Sequence, residues 1–379
     1  MRFEEAYEGW QAKRLTQEEA AQLLGVCERS FRRYIDRYHD EGLDGLIDKR
    51  LHQVSHRKAP TDEVLALEMQ YKESYQDWNV KHFYEKKYRG TRSYSWVKKT
   101  LQSAGLVAKG KRKGQHRKRR ERCALPGMLI HQDGSTHQWV PGQYWDLIVT
   151  MDDASNDVYS AFFVDEEGTW SSLRGVRETI EKKGLFCSFY SDRGSHYWHT
   201  PEAGGKVDKA NPTQFGRALD ELGIERIAAY SPQARGRSER LFKTWQDRLV
   251  KELASEGITE MTEANQYIQD TFLPEFNEHF MVSAAEEGSA FVPRLNVDLD
   301  DILCLKEERT VGNDNCVSYG GLTLQIPKQR QRCHYMRTKV KVNEYHTGDL
   351  AVFHGPRCLG RFDAEGKLIT DENLQDKAA

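Results

Sequence analysis

The sequence predicts a multidomain chain: N-terminal all-α helix-turn-helix modules, a central α/β core and a small β-barrel at the C-terminus. Three observations carry this. Apolar residues keep helical spacing up to about residue 105 and change to strand-like runs from residue 126. From residue 305 the runs shorten and glycine turns separate them. Charge is also unevenly divided. Residues 1–125 hold 28 Lys and Arg against 18 Asp and Glu, or +10, and the remainder holds 28 against 40, or −12. The net charge of −2 over 379 residues conceals that division. A basic end of this size suits a polyanionic partner.

Apolar residues make up 38 % and charged residues 30 %, which excludes a fully disordered chain and a collagen-like fibre. No run of 18 apolar residues exists to span a bilayer. The opening MRFEEAYEGW lacks the apolar stretch of a secretory signal. Seven cysteines, widely spaced and without a CxxC pair, argue against a disulfide framework or a structural zinc site. They fit a reducing cytoplasm, and the expected location is cytoplasmic, on the nucleoid of a bacterium or archaeon.

Residues 1–55 read as a helix-turn-helix domain. Thr16 caps a helix in TQEEAAQLL with Glu19 completing a capping box, Gly25 breaks the pattern, and ERSFRRYIDRYH forms the second helix. Ala20, Ala21, Leu24, Val26, Phe31 and Tyr34 supply a small shared core. Arg29, Arg32, Arg33 and Arg37 lie on the second helix, where a recognition helix meets the major groove. An ordinary hairpin with a solvated basic face has the same pattern. Residues 56–108 form a second helical domain with Arg92, Tyr94, Lys98 and Lys99 exposed, either another DNA-binding module or a helical spacer. Residues 109–124 are a basic linker. Nine basic residues and one acid stand among the fourteen of 109–122, including Lys111, Arg112, Lys113, Arg117, Lys118, Arg119 and Arg120, as suits a segment lying on phosphates.

The core spans 125–285. Strands are expected at 128–132, 144–151, 158–164, 186–191 and 225–229, and helices at about 170–183, 213–222 and 237–253. That order implies a mixed sheet with helices on its faces. Residues 286–379 hold a linker and the barrel, where Lys339 and Lys341 alternate along a strand.

Three acids stand in a shared setting. Asp133 follows the first core strand in HQDGSTHQW, Asp192 ends another in YSDRGSHYW, and Glu239 opens the long helix in SPQARGRSERLFK. Two carboxylates at strand ends and one on a neighbouring helix can converge above a sheet edge, and hard divalent cations need such oxygen ligands. Two ions about 3.5–4 Å apart activate an attacking oxygen and stabilise a leaving one in phosphoryl transfer. Arg235 and Arg237 make the preceding loop positive. Asp152 and Asp153 are rival acids that read better as turn residues. His131, His137 and His196 lie beside the acids, and Tyr197, Trp198 and Gln233 are aromatic or amide groups placed to meet terminal bases.

These motifs resemble insertion-sequence DDE transposases of the retroviral-integrase superfamily, and QDRLVKELASEGI is most similar to the group labelled ISNCY. The resemblance implies an RNase H-like integrase core with Asp133, Asp192 and Glu239 as catalytic and metal-binding triad. It also implies two Mg²⁺ (or Mn²⁺) per site. Lys243, four residues after Glu239 on the same helix face, either contacts phosphate near the scissile bond or forms an exposed pair with Glu239. The implied partners are terminal-inverted-repeat DNA, target DNA and other copies of the same chain, with no membrane and no small-molecule substrate. Forty-six residues lie between Asp192 and Glu239, a longer spacing than is usual in the family, and the excess fits the loop WHTPEAGGKVDKANP. Two other functions use parts of the same sequence: a helix-turn-helix regulator with an inactive core, and an RNase H-type nuclease.

Overall fold

In the computed structural model, residues 3–48, 58–110, 121–202, 205–230, 236–294, 298–328 and 332–369 are described. The chain divides into two compact units, Met1–Gln76 with Ser95–Ala108, and Asp77–Tyr94 with Lys109–Ala379.

The smaller unit begins with α1 (Phe3–Gln11), α2 (Gln17–Leu23) and α3 (Glu28–Glu41). The capping box forms as expected: the Glu19 amide donates to Thr16 Oγ1 at 3.2 Å, and the Thr16 amide donates to Glu19 Oε2 at 2.8 Å. Gly25 takes φ 68° in the turn between α2 and α3, a backbone conformation open to glycine without strain. Ala6, Ala20, Ala21, Phe31 and Ile35 are buried between the three helices. Ile35, rather than Tyr34, fills the deeper position, because Phe31 and Ile35 are one turn apart on the same stripe. In α4 (Thr61–Ser74) and α6 (Tyr94–Ser103), Leu67, Tyr71, Val97 and Leu101 are buried.

The stretch expected as one second helical domain is divided. α5 (Val80–Lys87), between α4 and α6 in sequence, falls in the larger unit. Its attachment there is polar, through ion pairs and one buried imidazole–carboxylate hydrogen bond. His82 Nε2 meets Glu252 Oε1 at 2.7 Å, Lys86 meets Glu252 Oε2 at 2.7 Å, and Arg248 meets Glu85 at 2.6 Å. His82 is completely buried and its ring stacks on Trp78 at 4.1 Å. Burial holds the His82 pKa below its ordinary 6.5, against the pull of Glu252. As the pH falls, the unfolded state therefore takes up this proton first. His82 contributes stability that is present above pH 6.5 and is lost as the pH falls toward the depressed folded value. Unit-specific melting should weaken below that pH, and His82→Gln should flatten the decline. A decline of unchanged steepness in the variant would refute the assignment.

The core sheet has strand order β3-β2-β1-β4-β5, built from β1 (Leu129–Val140), β2 (Gln143–Asp152), β3 (Val158–Val164), β4 (Ser188–Ser191) and β5 (Glu225–Ala228). The first three strands are antiparallel, and β4 and β5 join parallel. α7 (Thr169–Lys183) and α8 (Gln214–Glu221) cover one face through Leu173, Val176, Phe189, Phe215 and Leu219. α9 (Ser238–Glu256) covers the other with Leu241, Phe242, Trp245 and Leu249 against Leu147, Val149 and Met151. α10 (Met261–Tyr267) passes through a π-helical turn, Ile268–Phe272, into α11 (Leu273–Phe280) on the same face.

Asp133 therefore lies within a strand, not beyond one. β1 runs through the whole of HQDGSTHQW because Ile130–Gln138 pairs residue for residue with β2, and the apolar run that anchors the pairing, Leu147–Val149, is on β2. The C-terminal region is a four-stranded antiparallel sheet, order β11-β10-β9-β6, from β6 (Leu305–Thr310), β9 (Lys339–Glu344), β10 (Leu350–His354) and β11 (Arg357–Phe362). The hairpin of β7 (Cys316–Tyr319) and β8 (Leu322–Gln325) packs on it through Val317 and Leu324. Among the described residues the pairing does not close into the expected barrel. No helix among them is long and apolar enough to cross a membrane.

Candidate active site and nucleic-acid interface

Cross-strand partners in an antiparallel pair share a face. Asp133 is opposite Val149, His131 opposite Met151, and Ser135 opposite Leu147, so all three project toward α9. Gln246 of α9 confirms this by donating to Ser135 Oγ at 3.0 Å. On the parallel side His131 is opposite Tyr190. Asp133 stands two residues past His131 and Asp192 two past Tyr190, so both acids leave the paired segment at one level. Asp133 is 9 % exposed and Asp192 half-buried. The Gly194 amide donates to Asp192 Oδ1 at 2.8 Å and fixes its carboxylate at the start of the loop.

α9 brings in the third acid. Residues four and seven apart return to nearly the same helix face, so Glu239, Lys243 and Gln246 form one stripe. Gln246, the inner end of that stripe, is bonded to β1, while Glu239 and Lys243 are exposed. The helix runs antiparallel to the strand. From Gln246 to Arg237 is about 13 Å of helix, and from Ser135 to His131 about 13 Å of strand. Glu239 thus falls at a level between His131 and Asp133. Neither Glu239 nor Lys243 has an ion-pair partner among the described residues, so the two do not form a closed pair with each other. No three His, Cys, Asp or Glu side chains among the described residues converge closely enough to hold a metal.

The acids are braced from the opposite face. Tyr197 Oη shares its one proton between two acceptors, Gln132 Oε1 at 3.0 Å and Glu167 Oε1 at 3.2 Å. Complete burial pushes this hydroxyl's pKa well above the phenol range, the charge of Glu167 adds to it, and Asp133 and Asp192 add further. A Cβ on Gly134 would stand 2.2 Å from Glu167 Oε2, so the residue after Asp133 admits no side chain there without displacing that carboxylate.

Several expected contacts are revised. Tyr197 and Trp198 are each 2 % exposed and belong to the core, so they are not placed to meet bases. Their aromatic character suited either reading, and the packing of Tyr197 against Phe189 and Phe215 decides it. Asp152 is a turn acid, accepting from the Ala154, Ser155 and Gly127 amides. His131 bonds Asp153 at 2.8 Å, His137 packs on Trp139, and His196 faces Glu167 at 3.4 Å. Arg237 is paired with Asp153 and donates to the Glu121 carbonyl at 3.0 Å, so its guanidinium is committed to the protein. Asp153, expected as a turn residue, is instead completely buried and bonded to His131 and Arg237, and Glu167 is the contact that sequence reasoning missed. Glu167 is one of three consecutive acids, and no motif singles it out.

On the DNA-reading side, Arg29, Arg32, Arg33 and Arg37 are all exposed on α3. Arg32 has an exposed pair with Glu28 at 3.5 Å, an interaction of little energetic weight. Lys98 and Lys99 are exposed on α6, whereas Tyr94 packs on Tyr84 with Lys81 over its ring, and Arg92 is half-buried. Lys111, Arg112, Lys113, Arg117, Lys118, Arg119, Arg120, Gln233 and Arg235 lie outside the described residues. In the C-terminal sheet, Lys339 pairs with Glu308 at 2.6 Å and Lys341 is exposed.

Residues 5–61 match the family described as winged helix-turn helix. Over 353 residues the chain is 31 % identical to the "Putative transposase y4bF" of Sinorhizobium fredii, covering 89 % of this chain and 75 % of that protein. The chain belongs to the transposase family. A second relative, the transposase for insertion sequence IS1202 of Streptococcus pneumoniae, is 28 % identical over 236 residues, 61 % of this transposase and half of that one. Among solved structures, the simian T-cell lymphotropic virus intasome in complex with the PP2A regulatory subunit B56 gamma aligns over 74 % of this chain and 93 % of that chain, at 13 % identity and TM-score 0.35. The HTLV-2 integrase catalytic core domain in complex with magnesium (dimeric form) aligns over 39 % and 88 %, at 15 % identity and TM-score 0.30.

Proposed function

We propose that this chain is a DDE transposase, of the ISNCY group, that binds terminal inverted repeats and catalyses strand cleavage followed by 3′-OH transfer into target DNA. The observation that carries the reading is the shared level and face of Asp133 and Asp192, with the Glu239 stripe of α9 above them. Asp133, Asp192 and Glu239 would hold two Mg²⁺ or Mn²⁺ ions. Every donor is a carboxylate oxygen, which fits hard cations. When bound, such ions supply a better nucleophile and charge stabilisation on the leaving oxygen.

The chain's own residues do the rest. α3 reads the transposon end with Arg29, Arg32, Arg33 and Arg37. Lys98 and Lys99, and the basic residues of the 109–124 linker, neutralise phosphates. Lys243, beside Glu239, holds the phosphate next to the scissile bond. A water oxygen bonds to phosphorus, the bond to O3′ breaks, and the 3′ oxygen takes a proton to become a free hydroxyl. That 3′-OH then attacks a target phosphate, whose own 3′ oxygen leaves. No bond to the protein forms. Two ends must be held together, so the active form is a dimer or larger assembly on DNA in the bacterial cytoplasm.

The test is a labelled terminal-repeat duplex incubated with the protein and Mg²⁺. A nick at the repeat boundary that leaves a 3′-OH and disappears with EDTA is expected. Cleavage that persists in EDTA, or no cleavage at all, would overturn the reading. For the interface, Arg32→Ala with Arg33→Ala should weaken end binding about 10- to 100-fold at fixed salt and lower the salt slope by about 2. Melting should be unchanged, since both side chains are exposed. Equal affinity in the double variant would remove α3 as the reading helix.

A further inference from the structure

One buried carboxylate joins the strand that carries Asp133 to the helix that carries Glu239. Asp153 follows β2 and is completely buried. Its Oδ1 meets His131 Nε2 at 2.8 Å, and its Oδ2 accepts from the Cys123 amide at 2.9 Å. Its own amide donates to the Leu129 carbonyl at 3.0 Å, so its backbone is tied to β1 as well. His131 is two residues before Asp133 and projects from the same face of β1. On the other side, Asp153 is ion-paired with Arg237, the residue at the N-cap of α9, which has no capping side-chain bond of its own. Glu239 follows two residues later. Arg122 closes the cage from outside, donating to the Asp153 carbonyl at 2.9 Å and to Asn156 Oδ1 at 2.8 Å.

We propose that Asp153 is the positioning residue of the catalytic triad: through His131 and Arg237 it sets the distance between Asp133 and the start of α9, and hence the approach of Glu239 to the two aspartates. The inference rests on the reading of those three acids as a metal-holding site. Asp153 does not belong to the metal-holding set. Its carboxylate faces His131, Cys123 and Arg237, and it acts as a strut between strand and helix. The reason to expect an effect is general. Groups that orient metal-holding carboxylates without touching the ion change metal affinity or activity by about 10- to 100-fold when removed. Here the strut acts at both ends at once and at the N-terminal end of α9, whereas the polar bonds that tie Asp247, Arg248 and Glu252 to α5 lie two or more turns further along the helix.

The experiment compares wild type, Asp153→Asn, Arg237→Gln, the double variant and Asp133→Asn. Three readouts are taken: melting temperature without metal, the rise in melting temperature on Mn²⁺ titration, and the Mg²⁺ dependence of strand cleavage at saturating terminal-repeat DNA. Asp153→Asn and Arg237→Gln should each raise the half-saturating metal concentration about 10-fold or more in both titrations, with cleavage recovering toward wild type at high metal. The double variant should be no worse than the more damaged single one, because both remove the same link. A residue that merely supports the fold would lower the active fraction at every metal concentration and leave half-saturation where it was; that result overturns the proposal. Arg237→Gln leaves Asp153 in place and decides the matter if Asp153→Asn does not fold. Asp133→Asn separates the two levels. If it keeps both metal response and cleavage, the catalytic reading itself fails. If it loses both while Asp153→Asn and Arg237→Gln match wild type, only the strut is refuted.

Discussion

Asp133→Asn and Asp192→Asn are each expected to lower strand cleavage and joining on the order of 10³-fold while leaving terminal-repeat binding unchanged. The size follows from what is lost. Each substitution keeps volume and shape but removes a negative charge from a position where charge must be matched as the phosphorane-like state develops, and a site of this kind works almost entirely by positioning and electrostatics. Asp133 is nearly buried, so solvent cannot substitute for its carboxylate. Binding survives because end recognition is assigned to α3, in the other compact unit. Gel-shift affinity and single-turnover cleavage measured on the same preparations check this. A variant that loses both equally has a folding defect, and a near-ultraviolet circular dichroism signal below the wild-type level identifies that case.

Glu252→Ala is expected to be the most destabilising single change in the larger unit, by about 3–5 kcal/mol. Glu252 is 3 % exposed and satisfies three partners: His82 Nε2, Lys86 Nζ and Tyr267 Oη, all at 2.7 Å. These partners draw its pKa below the ordinary carboxylate value, although burial alone would raise it. Truncation leaves the buried His82 imidazole and the Tyr267 hydroxyl without their acceptor and Lys86 with Glu275 alone, and that uncompensated burial dominates the cost. The melting temperature should fall by roughly 10 °C for a unit of this size. Glu278→Ala is the comparison. Its pair with Arg89 has both side chains more than half exposed, so the loss should stay within about 0.5 kcal/mol. Equal losses for the two variants would refute the account of how α5 is attached.

Much of the core is legible in the amino-acid sequence. The runs MLI, YWDLIVTM, VYSAFFV and FCSFYS mark strands because their apolar residues are dense enough to show without partners. The Thr16–Glu19 box and the glycine after α2 mark the first helix pair for a local reason, since caps and turns are decided by neighbours in sequence. What is not legible depends on distant residues. HQDGSTHQW has no strand pattern of its own and is a strand because β2 pairs along its whole length. α5 reads like its helical neighbours, yet Glu252, Arg248 and Asp247 of α9 hold it in the larger unit. The two acids at 133 and 192 are visible through their matching contexts. Asp153 and Glu167 are not, because a buried strut and a surface turn acid have the same local sequence.

The most direct test of strand transfer by this site uses a terminal-repeat duplex already nicked at its boundary, supplied with either a 3′-OH or a 3′-deoxy end, together with Mg²⁺ and a target plasmid. Joined product is expected from the 3′-OH end alone, absent with Asp192→Asn, and running free of protein after denaturation. Joining by the 3′-deoxy end, joining by Asp192→Asn at the wild-type rate, or a protein–DNA adduct that survives detergent would contradict it.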